Sequence, residues 1–117
     1  MDDSSSITIV KTSLTVPANG TMYSVPIDLT KYIGYFSLQL VLSDSGTLTV
    51  AYELSNNETD PLTFSTPVGA SDIAIGLTAG TYMYKVTPYT VAKWMRLVFT
   101  ETVTTDPVVI VSRLAGQ

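Results

Sequence analysis

The stretch Ser37-Leu38-Gln39-Leu40-Val41-Leu42-Ser43-Asp44-Ser45-Gly46-Thr47-Leu48-Thr49-Val50-Ala51-Tyr52-Glu53-Leu54-Ser55 decides the fold class. Leu38, Leu40 and Leu42 alternate with other residues, and after a turn Leu48, Val50, Tyr52 and Leu54 alternate again. A period of two is what a half-buried strand requires, because successive side chains leave opposite faces of a sheet. Parity then predicts a pairing. A two-residue loop at Asp44-Ser45 would put the two apolar faces on opposite sides. A three-residue loop, Asp44-Ser45-Gly46, sets Leu42 against Leu48, Leu40 against Val50 and Leu38 against Tyr52, with Gly46 as the left-handed residue. A hairpin with a three-residue loop is therefore expected.

The same period recurs along the chain, and no long window carries apolar residues at helical spacing. Strands are expected at Ile7–Val16, Met22–Ile27, Tyr35–Ser43, Thr47–Ser55, Ile73–Leu77, Tyr82–Thr87, Trp94–Val103 and Val108–Ala115. Turn residues separate them at Pro17–Gly20, Ser43–Gly46, Asn56–Pro61 and Thr104–Pro107. One helical turn is expected at Asp28-Leu29-Thr30-Lys31, capped by Asp28. The apolar parity of the first strand switches between Ile9 and Val10, which predicts a bulge or a crossing between sheets. In Met22–Ile27, Tyr23, Val25 and Ile27 share a face, and Pro26 marks an edge or a bulge. The last two strands are apolar on both faces, so a cover is expected there, preferably a second copy of the chain. The fold class that results is all-β, an antiparallel β-sandwich of about seven to eight strands, jelly-roll-like or immunoglobulin-like. Residues 1–6 read as a flexible acidic, Ser-rich segment and 7–117 as one sandwich domain.

Composition narrows the chemistry. The 117 residues include no Cys and no His, which removes thiolate chemistry, the commonest zinc ligand and the commonest general base. Net charge is −4, and the six cationic residues do not cluster in sequence, so a nucleic-acid partner is not expected. The start MDDSSS is unlike a secretory leader, and the longest aliphatic run, Val108 to Val111, is far short of a membrane span. No membrane partner is expected, and the chain reads as soluble and cytoplasmically made. Asn57-Glu58-Thr59 matches a glycosylation sequon by chance in that setting.

Glu53 and Glu101 are the carboxylates a hydrolase would need, but they read as solvated strand positions, with Glu101 meeting Arg113 across a final hairpin. Asn56, Asn57, Glu58 and Asp60 offer oxygens for calcium without the spacing of an EF-hand, and serve equally as turn formers. No catalytic residue, metal or cofactor is assigned, and the chain is not expected to be an enzyme. Tyr82, Tyr84, Tyr89 and Trp94 lie close in sequence. The first two alternate with Val86 and read as core, which leaves Tyr89 and Trp94 as surface anchors for a sugar ring or a protein partner. With Arg96, Ile7 and Ile9 they are the candidate partner-interface residues.

Two resemblances bear on function. Tyr52-Glu53-Leu54-Ser55-Asn56-Asn57 and Ala92-Lys93-Trp94-Met95-Arg96-Leu97 resemble strands of discoidin-like carbohydrate-binding domains, although no Gly follows Asn57 and no Cys pair closes the domain. That likeness implies a glycan-binding module for attachment. Three other stretches, Ile27-Asp28-Leu29 leading to Gly34-Tyr35-Phe36-Ser37-Leu38-Gln39, Val50-Ala51-Tyr52-Glu53-Leu54-Ser55-Asn56, and Trp94 to Thr102 with the Val-rich final strand, are similar to small β-sandwich virion proteins of tailed bacteriophages. This second resemblance spans most of the chain. It implies a non-enzymatic virion component that decorates or cements a capsid, meets capsid or other virion proteins, and oligomerises in the particle.

Overall fold

The computed structural model describes residues 7–32, 36–59, 62–88, 91–102 and 106–117. Nine strands run in chain order: β1 (Thr8–Val16), β2 (Thr21–Tyr23), β3 (Ile27–Asp28), β4 (Phe36–Ser43), β5 (Leu48–Ser55), β6 (Ala74–Leu77), β7 (Gly80–Val86), β8 (Trp94–Glu101) and β9 (Val108–Gly116). The only helical element among the described residues is a 3-10 turn, Leu29–Lys31, capped by Asp28 as the sequence predicts. One sheet has the order β1-β9-β4-β7. The other has β2-β8-β5-β6, with β3 also pairing β8. All pairings are antiparallel. With β2 and β3 counted as one broken strand, the eight strands pair first with last, second with seventh, third with sixth and fourth with fifth. That is a jelly roll, one of the two topologies the strand list admitted.

The even-numbered residues of β1, β4, β7 and β9 face the odd-numbered residues of β8 and the even-numbered residues of β5 across the core. Leu38, Leu40, Leu48, Val50, Met95, Leu97, Phe99, Ile110 and Leu114 are fully enclosed there. Each such side chain contributes roughly 1.5–3 kcal/mol through lost water contact. Ser112 also points inward, and its hydroxyl has no partner among the described residues.

The expected hairpin does not form. β4 lies between β9 and β7, β5 lies between β8 and β6, and the Asp44–Thr47 segment arches from one sheet to the other. Parity requires only that the two apolar faces look at the same core. Stacking across the core meets that requirement as well as pairing side by side. Gly46 is not the left-handed residue either, since Asp44 holds the positive φ of 73°. Gly46 is needed for a close approach: its N–H donates to the Pro107 carbonyl at 2.9 Å, and a Cβ there would stand 2.6 Å from that oxygen. Pro107 belongs to the second arch, between β8 and β9, so the two arches brace each other.

Two further expectations are corrected. β1 pairs with β9 without a register shift from Thr8↔Gly116 to Val16↔Val108. The parity switch at Ile9 is therefore no bulge; Ile7 and Ile9 simply face solvent. Strand Met22–Ile27 is broken by Ser24, Val25 and Pro26, so Tyr23 is exposed while Ile27 is buried. Ser24 keeps the sheet hydrogen-bonded through the break: its N–H donates to Leu97 O at 3.0 Å and its Oγ accepts from Leu97 N at 2.9 Å. Pro26 does sit at an edge. The outward residues of β8 and β9 are half-buried within the single chain, since both strands are central and shaded by the strands on either side. Residues 1–6 and Tyr89 lie outside the described residues.

Candidate functional site

β8 turns Trp94, Arg96, Val98 and Thr100 toward the outer face of its sheet, opposite Ser55, Glu53, Ala51 and Thr49 of β5. The register places Arg96 directly across from Glu53. Arg96 Nε donates to Glu53 Oε1 at 2.8 Å, and Nη2 lies 2.7 Å from the same oxygen. The guanidinium is sandwiched between two rings, with its carbon 3.9 Å from the Tyr23 centroid and 4.5 Å from that of Phe64. Tyr23 arrives from β2, opposite Val98 and so diagonal to Arg96. Phe64 arrives from the loop after β5, which is tied back where Leu54 and Ser65 exchange backbone hydrogen bonds of 2.9 and 3.0 Å. Cation–π contact and a carboxylate together fix the guanidinium plane.

The same loop braces Trp94. Its Nε1 donates to Asn57 O at 3.1 Å, while Asn57 Oδ1 accepts from Ser55 Oγ and Thr63 N, and Asn56 Oδ1 accepts from Lys93 N. The asparagine oxygens considered for calcium are thus engaged in holding the loop. Lys93 Nζ lies 5.9 Å from the indole centroid. Beside Trp94, a groove of about 300 Å³ runs over Val25, Pro26, Ile27, Asp28 and Tyr32. At its rim the Thr30 hydroxyl and amide both donate to Asp28 Oδ1, and hold that carboxyl below its ordinary value of 3.8. The result is a rigid, partly aromatic platform suited to stacking and to hydrogen bonding.

Glu101 is not where the sequence suggests. It faces inward, 1% exposed, at the end of β8, whereas Arg113 lies on the outer face of the other sheet. Its Oε1 accepts from Asn19 N at 3.0 Å and its Oε2 from Thr47 N at 2.9 Å, so one carboxylate clamps the β1–β2 turn to the first arch. Tyr82 and Tyr84 stack at 6.4 Å as half-buried inward residues, as expected.

Trp94 and Arg96 are therefore brought together, and Ile7 and Ile9 lie on the opposite outer face, 64% and 59% exposed. Sequence reasoning did not find Tyr23 and Phe64 as partners of Arg96, and it read Glu53 as a solvated strand position rather than as the partner of Arg96. The opposite charges of Glu53 and Arg96 were the available signal, but using it requires knowing that β5 pairs with β8.

The fold and its two faces define the chain as a jelly-roll β-sandwich with decorated outer sheets. Among solved structures it is similar to PirA, at 14% identity over 91% of each chain with a TM-score of 0.52. It is also similar to the Yersinia pseudotuberculosis-derived mitogen YPM (13% identity, 93% of this chain and 85% of that one, TM-score 0.44) and to CBM4 (14% identity, 95% and 82%, TM-score 0.41). The likeness to PirA shows a shared all-β sandwich architecture. No family model and no curated protein matches the sequence.

Proposed function

We propose that the protein is a non-enzymatic structural component acting through protein–protein contacts of its sheet faces and edges, and specifically that it decorates or cements the capsid of a tailed-phage particle. The observation that carries the general reading is the solvent side of the four-stranded sheet, where Ile7 and Ile9 stand exposed at the β1 edge, Met83 at the β7 edge and Val41 on β4 next to β7. Apolar residues beside an unpaired edge are features that monomeric sandwiches suppress and that assembled ones use. The particular partner, a capsid, rests on the sequence resemblance. Titrating the purified chain onto phage capsids and measuring bound copies by sedimentation tests the reading. Saturation at a fixed stoichiometry supports it, and absence of association at micromolar concentrations removes the capsid role.

A second reading, glycan attachment, is favoured by one feature: the Tyr23–Arg96–Phe64 stack presents an exposed tyrosine face beside braced Trp94. Aromatic faces next to fixed donors suit pyranose rings. Binding to a glycan panel that is abolished by Tyr23→Ala and by Trp94→Ala, with no capsid association, would select this reading over the first.

A further inference from the structure

The strands β1, β9, β4 and β7 contain no Asp or Glu, although the chain as a whole is acidic. They carry Lys11, Lys85 and Arg113, half of its cationic residues, all at outward positions. Lys11 stands directly opposite Arg113 in the β1–β9 ladder. Like charges facing each other across strands oppose pairing. No described carboxylate forms an ion pair with any of the three, since the one such pair among the described residues is Arg96–Glu53 on the other sheet.

Lys11 and Arg113, without an ion pair among the described residues, lie at the β1 end of the sheet. β1 is nine residues long and ends its sheet, with β9 as its one strand partner among the described residues. Its outward side presents Ile7, Ile9 and Lys11, and its inward side presents Val10 and Leu14, only partly buried against the core. A free edge that is apolar on both faces and cationic at one position is half of a binding site for an extended chain. Residues of an added strand that lie opposite Ile9 and Lys11 are two positions apart on one face. The single residue between them lies opposite Val10, on the core side, and a residue further along lies opposite Leu14.

From this we infer that the β1 edge receives an extended segment of another protein, added as a further strand, with an acidic residue opposite Lys11 and an apolar one opposite Ile9. The inference deepens the protein-contact reading above and rests on it. A second copy does not fit. Antiparallel β1–β1 pairing in a register centred near Lys11 would gather two Lys11 and two Arg113 side chains, and the two edge strands of this sheet, β1 and β7, carry no acidic residue. Lys11 thus blocks self-pairing while selecting an acidic strand.

The test uses the full chain and two short Val/Thr-rich peptides that differ only in a central Asp or Lys. Affinities are read by fluorescence anisotropy and docking by amide hydrogen exchange. The Asp peptide is expected to bind, the Lys peptide to bind at least about tenfold more weakly, and alternate amides of β1 to gain protection. In Lys11→Glu the preference should reverse, while the unfolding midpoint holds or rises because Glu at that position faces Arg113. Equal binding of the two peptides, no binding of either, or protection confined to β7 would overturn the inference. If capsids bind wild type and Lys11→Glu alike, the capsid role stands and strand docking there falls. If the Asp peptide protects β1 but capsids are ignored, the reverse holds.

Discussion

Glu101 shows how one residue can set the spacing of two loops. A buried carboxylate is costly unless its oxygens are filled, and here two backbone amides from distant turns fill them. Glu101→Ala leaves both donors without that acceptor, and should lower unfolding stability by roughly 2–4 kcal/mol in urea denaturation. Glu101→Gln is expected to be destabilising as well, since the amide turns a donor toward one of the two N–H groups. Asp28 makes the complementary case at the surface. Its carboxyl is held low first by the Thr30 hydroxyl, then by the Thr30 amide and by Lys31 and Lys93. A carboxyl with a lowered folded pKa adds stability that is fully present above its unfolded value of 3.8 and is lost as pH falls through the lower folded value. Carbon-detected NMR titration should place the Asp28 midpoint below 3.8, and Asp28→Asn should remove that acid-side component from the stability profile.

At the level of elements, the two arches replace the hairpins that local sequence favours. Gly46 and Pro107 make the arches touch, and a methyl group at Gly46 would meet the Pro107 carbonyl at 2.6 Å. Backbone cannot yield as a side chain tip can. Gly46→Ala is therefore expected to cost roughly 1–3 kcal/mol, read as a lower thermal midpoint with the fold retained. Most strands were legible: apart from the break in Met22–Ile27, their positions, the cap at Asp28 and the edge at Pro26 follow from periodicity and turn residues. Their partners were not. Leu42 and Leu48 share parity whether they pair within a sheet or face each other across a core, so one pattern fits two arrangements. The same limit hid the Glu53–Arg96 pair, because a salt bridge between strands forty positions apart in the chain becomes visible only once β5 and β8 are neighbours.

At the level of the whole molecule, the topology joins the first and last strands and the second and eighth, so nearly every pairing is remote in sequence. Closing such loops before contacts compensate the lost chain entropy makes folding slow. Refolding by stopped-flow fluorescence of Trp94 is expected on a timescale of roughly milliseconds to seconds. The topology also sorts charge. Arg96, Lys93 and Lys31 gather around the five-stranded sheet and its acidic neighbours, whereas Lys11, Lys85 and Arg113 are left on a sheet that has none. The strand docking inferred at β1 would draw on that difference, because a cationic, apolar-edged face favours an acidic strand over a second cationic one.

The sequence alone determined that this chain builds two-faced strands around an apolar core without thiol or imidazole chemistry, because alternation and composition are local properties that no packing can reverse. Which strands became neighbours, and so which side chains form the Tyr23–Arg96–Phe64 stack and which charges stand uncompensated beside the β1 edge, was decided only in three dimensions. The reason is that a strand's inward face specifies what it buries, while its hydrogen-bonding edge is the same backbone in every strand and specifies no partner until the core has closed.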